Sequence, residues 1–355
     1  MTLLRTYLVM AVLRGVAIVM AVLVAVRCGI EFVGQLNDVG TGEYGLQTAL
    51  IYIALRVPRT IFTTLPIGAL IGSLLSLGNL AVHRELIVMR ASGVSSLQLL
   101  SAVGLAGLML AVLMVLLGES VAPSLGAYAS ELRTRAMHAE SAVADGQATW
   151  LREGDRIVSL RRQAGDLGYG GGVLLFELGP GQTLREVARA DSANLEGNRW
   201  VLSNYAETSF EEGVAAVRTG RESSEAHGLN PDLLELSIVR ADLLDTPSLI
   251  RYISYLRAND LDAHRYLVAY WSRLANVVSV VIMTVLALPF VFGGLRSAGA
   301  GARLLVGLII GLTYYVAGQV LTSGGEVYGV DPLVIAWAPT ALLVLVTAFA
   351  FARIR

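Results

Sequence analysis

Apolar residues in this chain are gathered into runs long enough to cross a bilayer, and polar residues into short links and one long block. The first run goes from Tyr7 to Val33, with Arg14 and Arg27 near its ends, where long basic side chains can reach water. After a polar link, Gly34 to Gly45, a second apolar stretch extends from Ala49 to Val82. As one helix it measures roughly 51 Å, against a hydrocarbon core of about 30 Å. Counting about 20 residues back from Val82 reaches Thr63. Arg56, Pro58 and Arg59 then fall at the far headgroup level, and Pro58 and Pro66 are possible kinks. A third span runs from Leu97 to Leu117, with Glu119 and Pro123 at its exit. Three more follow late in the chain, at Leu267–Phe292, Leu304–Leu321 and Leu333–Phe351, the last two joined by Thr322 to Pro332.

Between the third and fourth spans lies the polar block, Ser124 to Asp262, which holds most of the charge. Its texture is β. Trp150 to Leu160 reads as two short strands around a Glu-Gly-Asp turn, and Glu186–Arg189, Asn194–Leu202 and Tyr205–Phe210 continue the pattern. Turns fall at Gly197-Asn198 and Glu212-Gly213. Strands at this spacing predict a sandwich, jelly roll or open barrel. Asp245 to Arg257 then reads as an amphipathic helix beside the membrane. Ser248 or Thr246 serves as its cap, and Leu249, Ile250, Ile253 and Leu256 form its apolar face.

One further stretch, Ala81 to Ser95, is too short and too charged to cross a bilayer. On a helix Glu85, Val88, Met89 and Ser92 share one face, and Gly93 is suited to the left-handed stop. It reads either as a surface loop whose arginines follow the positive-inside bias, or as a coupling helix gripped by a separate motor subunit. With six spans, Arg5, Arg84, Arg90, Arg296, Arg303, Arg353 and Arg355 gather on one side, while Gly34–Gly45 and Thr322–Pro332 carry no basic residue. The positive-inside rule therefore places both termini and this short helix in the cytoplasm, and the β insert outside it.

Composition adds limits. The 355 residues are 55% hydrophobic and 15% charged, with a mean hydropathy of +0.63, values of a multi-pass membrane protein. The net charge of −1 gives no field to draw in nucleic acid. A single cysteine, Cys28, excludes an intrachain disulfide. The first run carries Arg14 and lacks a small-residue cleavage site, so it reads as a span and not a signal peptide. His83, His138, His227 and His264 are scattered without metal spacing, and a chain without Lys cannot form a phosphate-binding G-x-x-x-x-G-K-[ST] loop. Gly168 to Gly172 lies in the β block and reads as a hairpin loop. Glu119, at the end of a span, reads as structural. Arg27, Arg56, Arg59 and Arg133 near the outer interface are either snorkelling anchors or a grip on a phosphorylated lipid, for which the forked guanidinium is suited.

Several motifs carry a resemblance in the right order: Arg84-Glu-Leu-Ile-Val-Met-Arg-Ala-Ser-Gly-Val-Ser95, Gly118-Glu-Ser-Val-Ala-Pro123, Phe290-Val-Phe-Gly-Gly-Leu-Arg-Ser297, Tyr314-Tyr-Val-Ala-Gly-Gln319 and Val327-Tyr-Gly-Val-Asp-Pro332. With them the chain resembles the lipopolysaccharide-export permeases, the LptF/LptG family, and Ala91-Ser-Gly93 favours the LptG type. The resemblance implies a polytopic α-helical membrane protein of six transmembrane helices, with a periplasmic β-jellyroll domain between helices 3 and 4. The divisions are then 1–123 with a coupling helix at 83–95, 124–245 for the jellyroll, and 246–355 for the interfacial helix and last three spans. It implies a non-enzymatic subunit in the inner membrane that extracts lipopolysaccharide and passes it to a periplasmic bridge. Implied partners are a sister LptF-like permease, a cytoplasmic ATPase dimer that uses the ATP, and a bitopic LptC-like protein; no cofactor is bound by this chain.

By family role Arg84, Glu85, Val88, Met89, Ser92 and Gly93 dock into the ATPase, and Arg59 and Arg133 match basic positions of the family. The family's lysines in and after span one do not carry over, because Glu31, Asn37 and Asp38 stand there. The alternatives are a lipoprotein- or other lipid-extracting ABC permease, a non-transporting envelope scaffold, and a lipid-modifying membrane enzyme, for which no cluster of acid, base or metal ligands is visible.

Overall fold

The computed structural model describes residues 2–137, 148–153, 155–161, 169–179, 183–196, 199–211, 214–223, 244–292 and 299–353. Among these residues six helices are long and apolar enough to cross a membrane. They lie in α1 (Thr2–Gln35), α2 (Leu46–Val82), α4 (Ser96–Leu116) with its continuation, α7 (His264–Phe292), α8 (Ala300–Tyr328) and α9 (Pro332–Ala352). Each contains one of the apolar runs, and all but α9 overshoot it into polar residues. A helix closes its own backbone hydrogen bonds and need not stop where the hydrocarbon does.

α2 is the hub. Its seventeen buried residues pack against α1, α7, α8 and the helix that follows α4. It runs unbroken through Pro58 and Pro66. The crossing with α1 is close enough to need glycine: a Cβ on Gly72 would lie 2.5 Å from the Cα of Val16, and one on Gly15 would lie 2.8 Å from the Gly72 carbonyl oxygen. Small residues at such crossings let two backbones touch, which matters where lipid removes the hydrophobic drive to associate. Around this contact Leu8, Val12, Val16, Leu70, Leu74, Val103, Met114, Met283 and Leu286 form the core.

After α4 comes a five-residue π-helical turn, Leu117–Val121, and then α5, Ala122–Met137. The helical run thus passes residue 124, where the insert begins on the sequence reading, and continues to Met137. The wider π turn ends two residues before Pro123, which has no N–H to give to an α-helical ladder.

Among the described residues the insert is a six-stranded antiparallel sheet in simple order, β1 (Ala148–Glu153), β2 (Arg156–Arg161), β3 (Tyr169–Gly179), β4 (Thr183–Glu196), β5 (Arg199–Glu211) and β6 (Val214–Ser223). The pairs Glu153↔Arg156, Glu196↔Arg199 and Glu211↔Val214 close three of the expected hairpins, whereas Tyr169–Gly172, read from the sequence as part of a hairpin loop, is the start of β3. The turn residues 197–198 and 212–213 lie outside the described residues. Val158, Leu175 and Ala188 are buried and directly paired across β2, β3 and β4, with Val173 opposite Ala190 beside them, which is the period-two pattern of a sheet with one covered face.

The amphipathic helix is α6, Thr246–Ala258, with Asp245 at its N-cap and Pro247 in its first turn. The expected caps, Thr246 and Ser248, are therefore already inside the helix. Its buried face is Leu249, Tyr252, Ile253 and Leu256. Ile250, placed on that face by the sequence reading, is exposed, and Tyr252 takes its position. Edge-on contact with Tyr266 at 4.7 Å fixes that ring, and burial pushes the Tyr252 phenol well above its ordinary range, so it stays neutral.

Candidate functional site

Two constellations stand at opposite ends of the bundle. The first is at the end that holds both termini. There α3, Glu85–Ala91, is bracketed by two left-handed residues, Arg84 at φ 63° and Gly93 at φ 94°. The Val94 amide donates to Met89 O at 3.1 Å and the Gly93 amide to Arg90 O at 3.1 Å. This is the paired Schellman bonding that ends a helix, with Gly93 at the position expected of it. Ser95 then opens α4 in a capping box, its hydroxyl accepting from the Gln98 amide while Gln98 Oε1 accepts from the Ser95 amide. That box is legible as S-x-x-Q.

Leu86 and Met89 are buried and anchor α3 to the core. The sequence reading offers Met89 outward; the structure turns it in, and leaves Val88, 65% exposed, on the outer surface with Arg84, Ser92 and Gly93. Glu85 is half-buried and accepts a 2.7 Å hydrogen bond from the Tyr7 hydroxyl of α1. Arg90 stands over the Phe292 ring at 5.4 Å, which joins α3 to the end of α7. Of the arginines assigned to this end, Arg303 is only 2% exposed, packed over Gly78 of α2. Arg296 and Arg355 lie outside the described residues.

The second constellation is at the end where the insert is attached. Arg56 of α2 donates to Glu31 of α1 at 2.5 Å and to the Tyr52 hydroxyl at 2.9 Å. Arg133 of α5 donates to Asp38, in the α1–α2 connector, at 2.6 Å. Both guanidinium groups stand over the Tyr52 ring, at 5.4 and 5.7 Å. The connector itself is built against α5. The Glu43 amide donates to Ala136 O at 2.8 Å, and Tyr44, fully buried, donates its hydroxyl to Gln35 at 2.9 Å. Burial raises the Tyr44 phenol above its ordinary range, so it remains a neutral donor.

The structure thus brings together Arg56 and Arg133 from the four candidate arginines. Arg59 is half-buried one turn further along α2, and Arg27 is exposed on α1. What sequence reasoning missed is that Glu31 and Asp38, which replace the expected basic residues, are the partners of these two arginines. Their separations in sequence, 25 and 95 positions, follow no helical or strand period.

Between these features Glu119, in the π turn, accepts from the Thr246 amide at 2.8 Å and from its hydroxyl at 2.6 Å. The pair joins the end of the third span to the first turn of α6, with the insert looped out between them.

A family model described as "Lipopolysaccharide export system permease LptF/LptG" matches residues 6–353. "Lipopolysaccharide export system permease protein LptG" of Escherichia coli (strain K12) is 31% identical over 350 residues, which cover 98% of this chain and 97% of that protein. The protein of the same name from Haemophilus influenzae (strain ATCC 51907 / DSM 11121 / KW20 / Rd) is 29% identical over 351 residues, 98% of each chain. The matches take in α3, the π turn, the β insert and all six long helices, and so the chain belongs to the LptF/LptG family of lipopolysaccharide-export permeases.

Proposed function

We propose that this multi-pass inner-membrane protein is the LptG-type permease subunit of an ABC-type lipopolysaccharide exporter. Both termini and α3 face the cytoplasm, and residues 124–245 form the periplasmic part. A sister permease completes the membrane unit, an ATPase dimer docks on α3, and a bitopic LptC-like protein joins the complex. The chain carries no chemistry of its own; ATP is hydrolysed by the partner. The anionic headgroup is held at the insert end, by Arg56 and Arg133 with Arg59 beside them and Arg27 at the rim, while the covered face of the sheet takes acyl chains.

The observation that carries this reading is α3. A seven-residue helix, closed by glycine at one end and anchored by Leu86 and Met89, presents Val88 and a half-buried acid outward. Motion imposed there reaches α1 through Glu85 and Tyr7, and α7 through Arg90 and Phe292.

The test is Glu85→Lys in the assembled complex. Truncating one partner of a desolvated charge pair costs about 2–5 kcal/mol, so the variant should retain its fold and lose the ATPase during purification. A full complement of ATPase with normal lipid release would end the coupling-helix reading. At the other end, Arg59→Ala with Arg133→Ala should lower lipid-stimulated ATP hydrolysis, and Asn37→Ala should not.

A further inference from the structure

The insert-end cluster contains two arginines and two carboxylates, and each arginine already holds an acid. Arg56–Glu31 and Arg133–Asp38 are short pairs with side chains between about one-sixth and one-third exposed. As it stands the cluster is neutral, and an approaching phosphate meets guanidinium groups whose best faces are taken. Yet Arg133 is not saturated: its Nε is buried and has no hydrogen-bond partner among the described residues. A phosphomonoester offers three acceptor oxygens and up to two negative charges. It can use that Nε donor as well as the terminal nitrogen now given to Asp38.

The pairs also do mechanical work. Glu31 lies at the end of α1 and Asp38 in the connector, whereas Arg56 belongs to α2 and Arg133 to α5. The same connector is held to α5 by the Glu43 amide, and Gly42 sits against the carbonyl oxygens of Ala136 and Met137, with no room for a side chain. α5 is the stalk from which the β insert grows. Breaking Arg133–Asp38 therefore loosens the connector from that stalk.

We propose that Glu31 and Asp38 are built-in substitutes for the anionic headgroup, and that a lipid phosphate is captured by exchange. It takes Arg133 from Asp38 and Arg56 from Glu31; release of Asp38 unfastens the α1–α2 connector from α5, and release of Glu31 frees the end of α1 from α2. This rests on the exporter reading above and adds to it a latch that opens only when a phosphorylated lipid arrives.

The experiment uses the complete exporter in phosphatidylcholine nanodiscs, with diphosphorylated lipid A, dephosphorylated lipid A or inorganic phosphate as the probe. In Asp38→Asn the half-saturating concentration of diphosphorylated lipid A for ATPase stimulation should fall about two- to fivefold, the size of removing one partly exposed competing ion pair. Glu31→Gln should act in the same direction. In the unaltered protein, diphosphorylated lipid A should speed hydrogen exchange of the Glu43 amide, and dephosphorylated lipid A should not. An unchanged or raised half-saturating concentration in variants that melt like the parent overturns the exchange, and so does a Glu43 amide indifferent to the phosphorylated lipid. An equal response to inorganic phosphate overturns the assignment to lipid. If the parent's ATPase ignores both lipids, the exporter reading falls with the latch; if it responds while the amide does not, only the latch falls.

Discussion

Glu119 does for α6 what the side chain of Asp245 leaves undone, since Asp245 makes no capping bond of its own. The first amides of a helix have no partner inside it, and here a carboxylate from 127 positions earlier in the chain satisfies one of them together with the Thr246 hydroxyl. Glu119→Ala strands both donors in a half-buried setting and should cost about 1–3 kcal/mol. Thr246→Val removes only the hydroxyl and should cost about 1 kcal/mol. Thermal unfolding of the detergent-solubilised protein would rank them, and equal small effects would show the contact to be idle. A structural role for Glu119 was readable from its place at the end of a span. Its partner was not, because periodicity orders residues within one helix and is silent across an insertion. The same holds for Glu31 and Asp38, whose identities were plain and whose partners only the packing of α1, α2 and α5 supplies.

Among the elements, the long helices were legible because about 20 apolar residues in a row have few other uses. The surface helix was legible in part. Gly93 was placed correctly, since a left-handed residue after a short helix is a local demand. The buried face of α3 was placed about a quarter turn away, with Met89 outward. In seven residues Leu86 with Met89, and Ile87 with Val88, are both plausible apolar stripes, and only the neighbouring helices choose between them. Gly93→Ala should weaken the Schellman closure by about 1 kcal/mol; faster amide exchange at Gly93 and Val94 with α4 unchanged is the expected signature. A larger effect belongs to the α1–α2 crossing. Gly72→Val puts a branched side chain where even a Cβ lies 2.5 Å from Val16. Overpacking of this kind costs about 1–3 kcal/mol, and because Val16 lies on the backbone path of α1, the variant should separate the two helices. Loss of a disulfide between cysteines placed at facing α1 and α2 positions would report it.

In the molecule as a whole α2 is enclosed, whereas α1 and α8 leave most of their length uncovered by this chain, with Ile18, Val22, Val26, Leu305, Ile309 and Val320 outward. On the exporter reading proposed above, those surfaces face lipid or the rest of the complex. The β insert offers a different apolar surface, and a photoreactive residue at Leu175, buried and opposite Val158, should label acyl chains during turnover. The tie between Glu119 and Thr246 has one more consequence. It brings the end of the third span and the first turn of α6 within the reach of a single side chain, so the excursion through α5 and the β insert starts and finishes at one place on the bundle. A domain mounted this way can be exchanged for another with similarly close ends, by a protein engineer or by recombination, while the membrane half keeps its architecture.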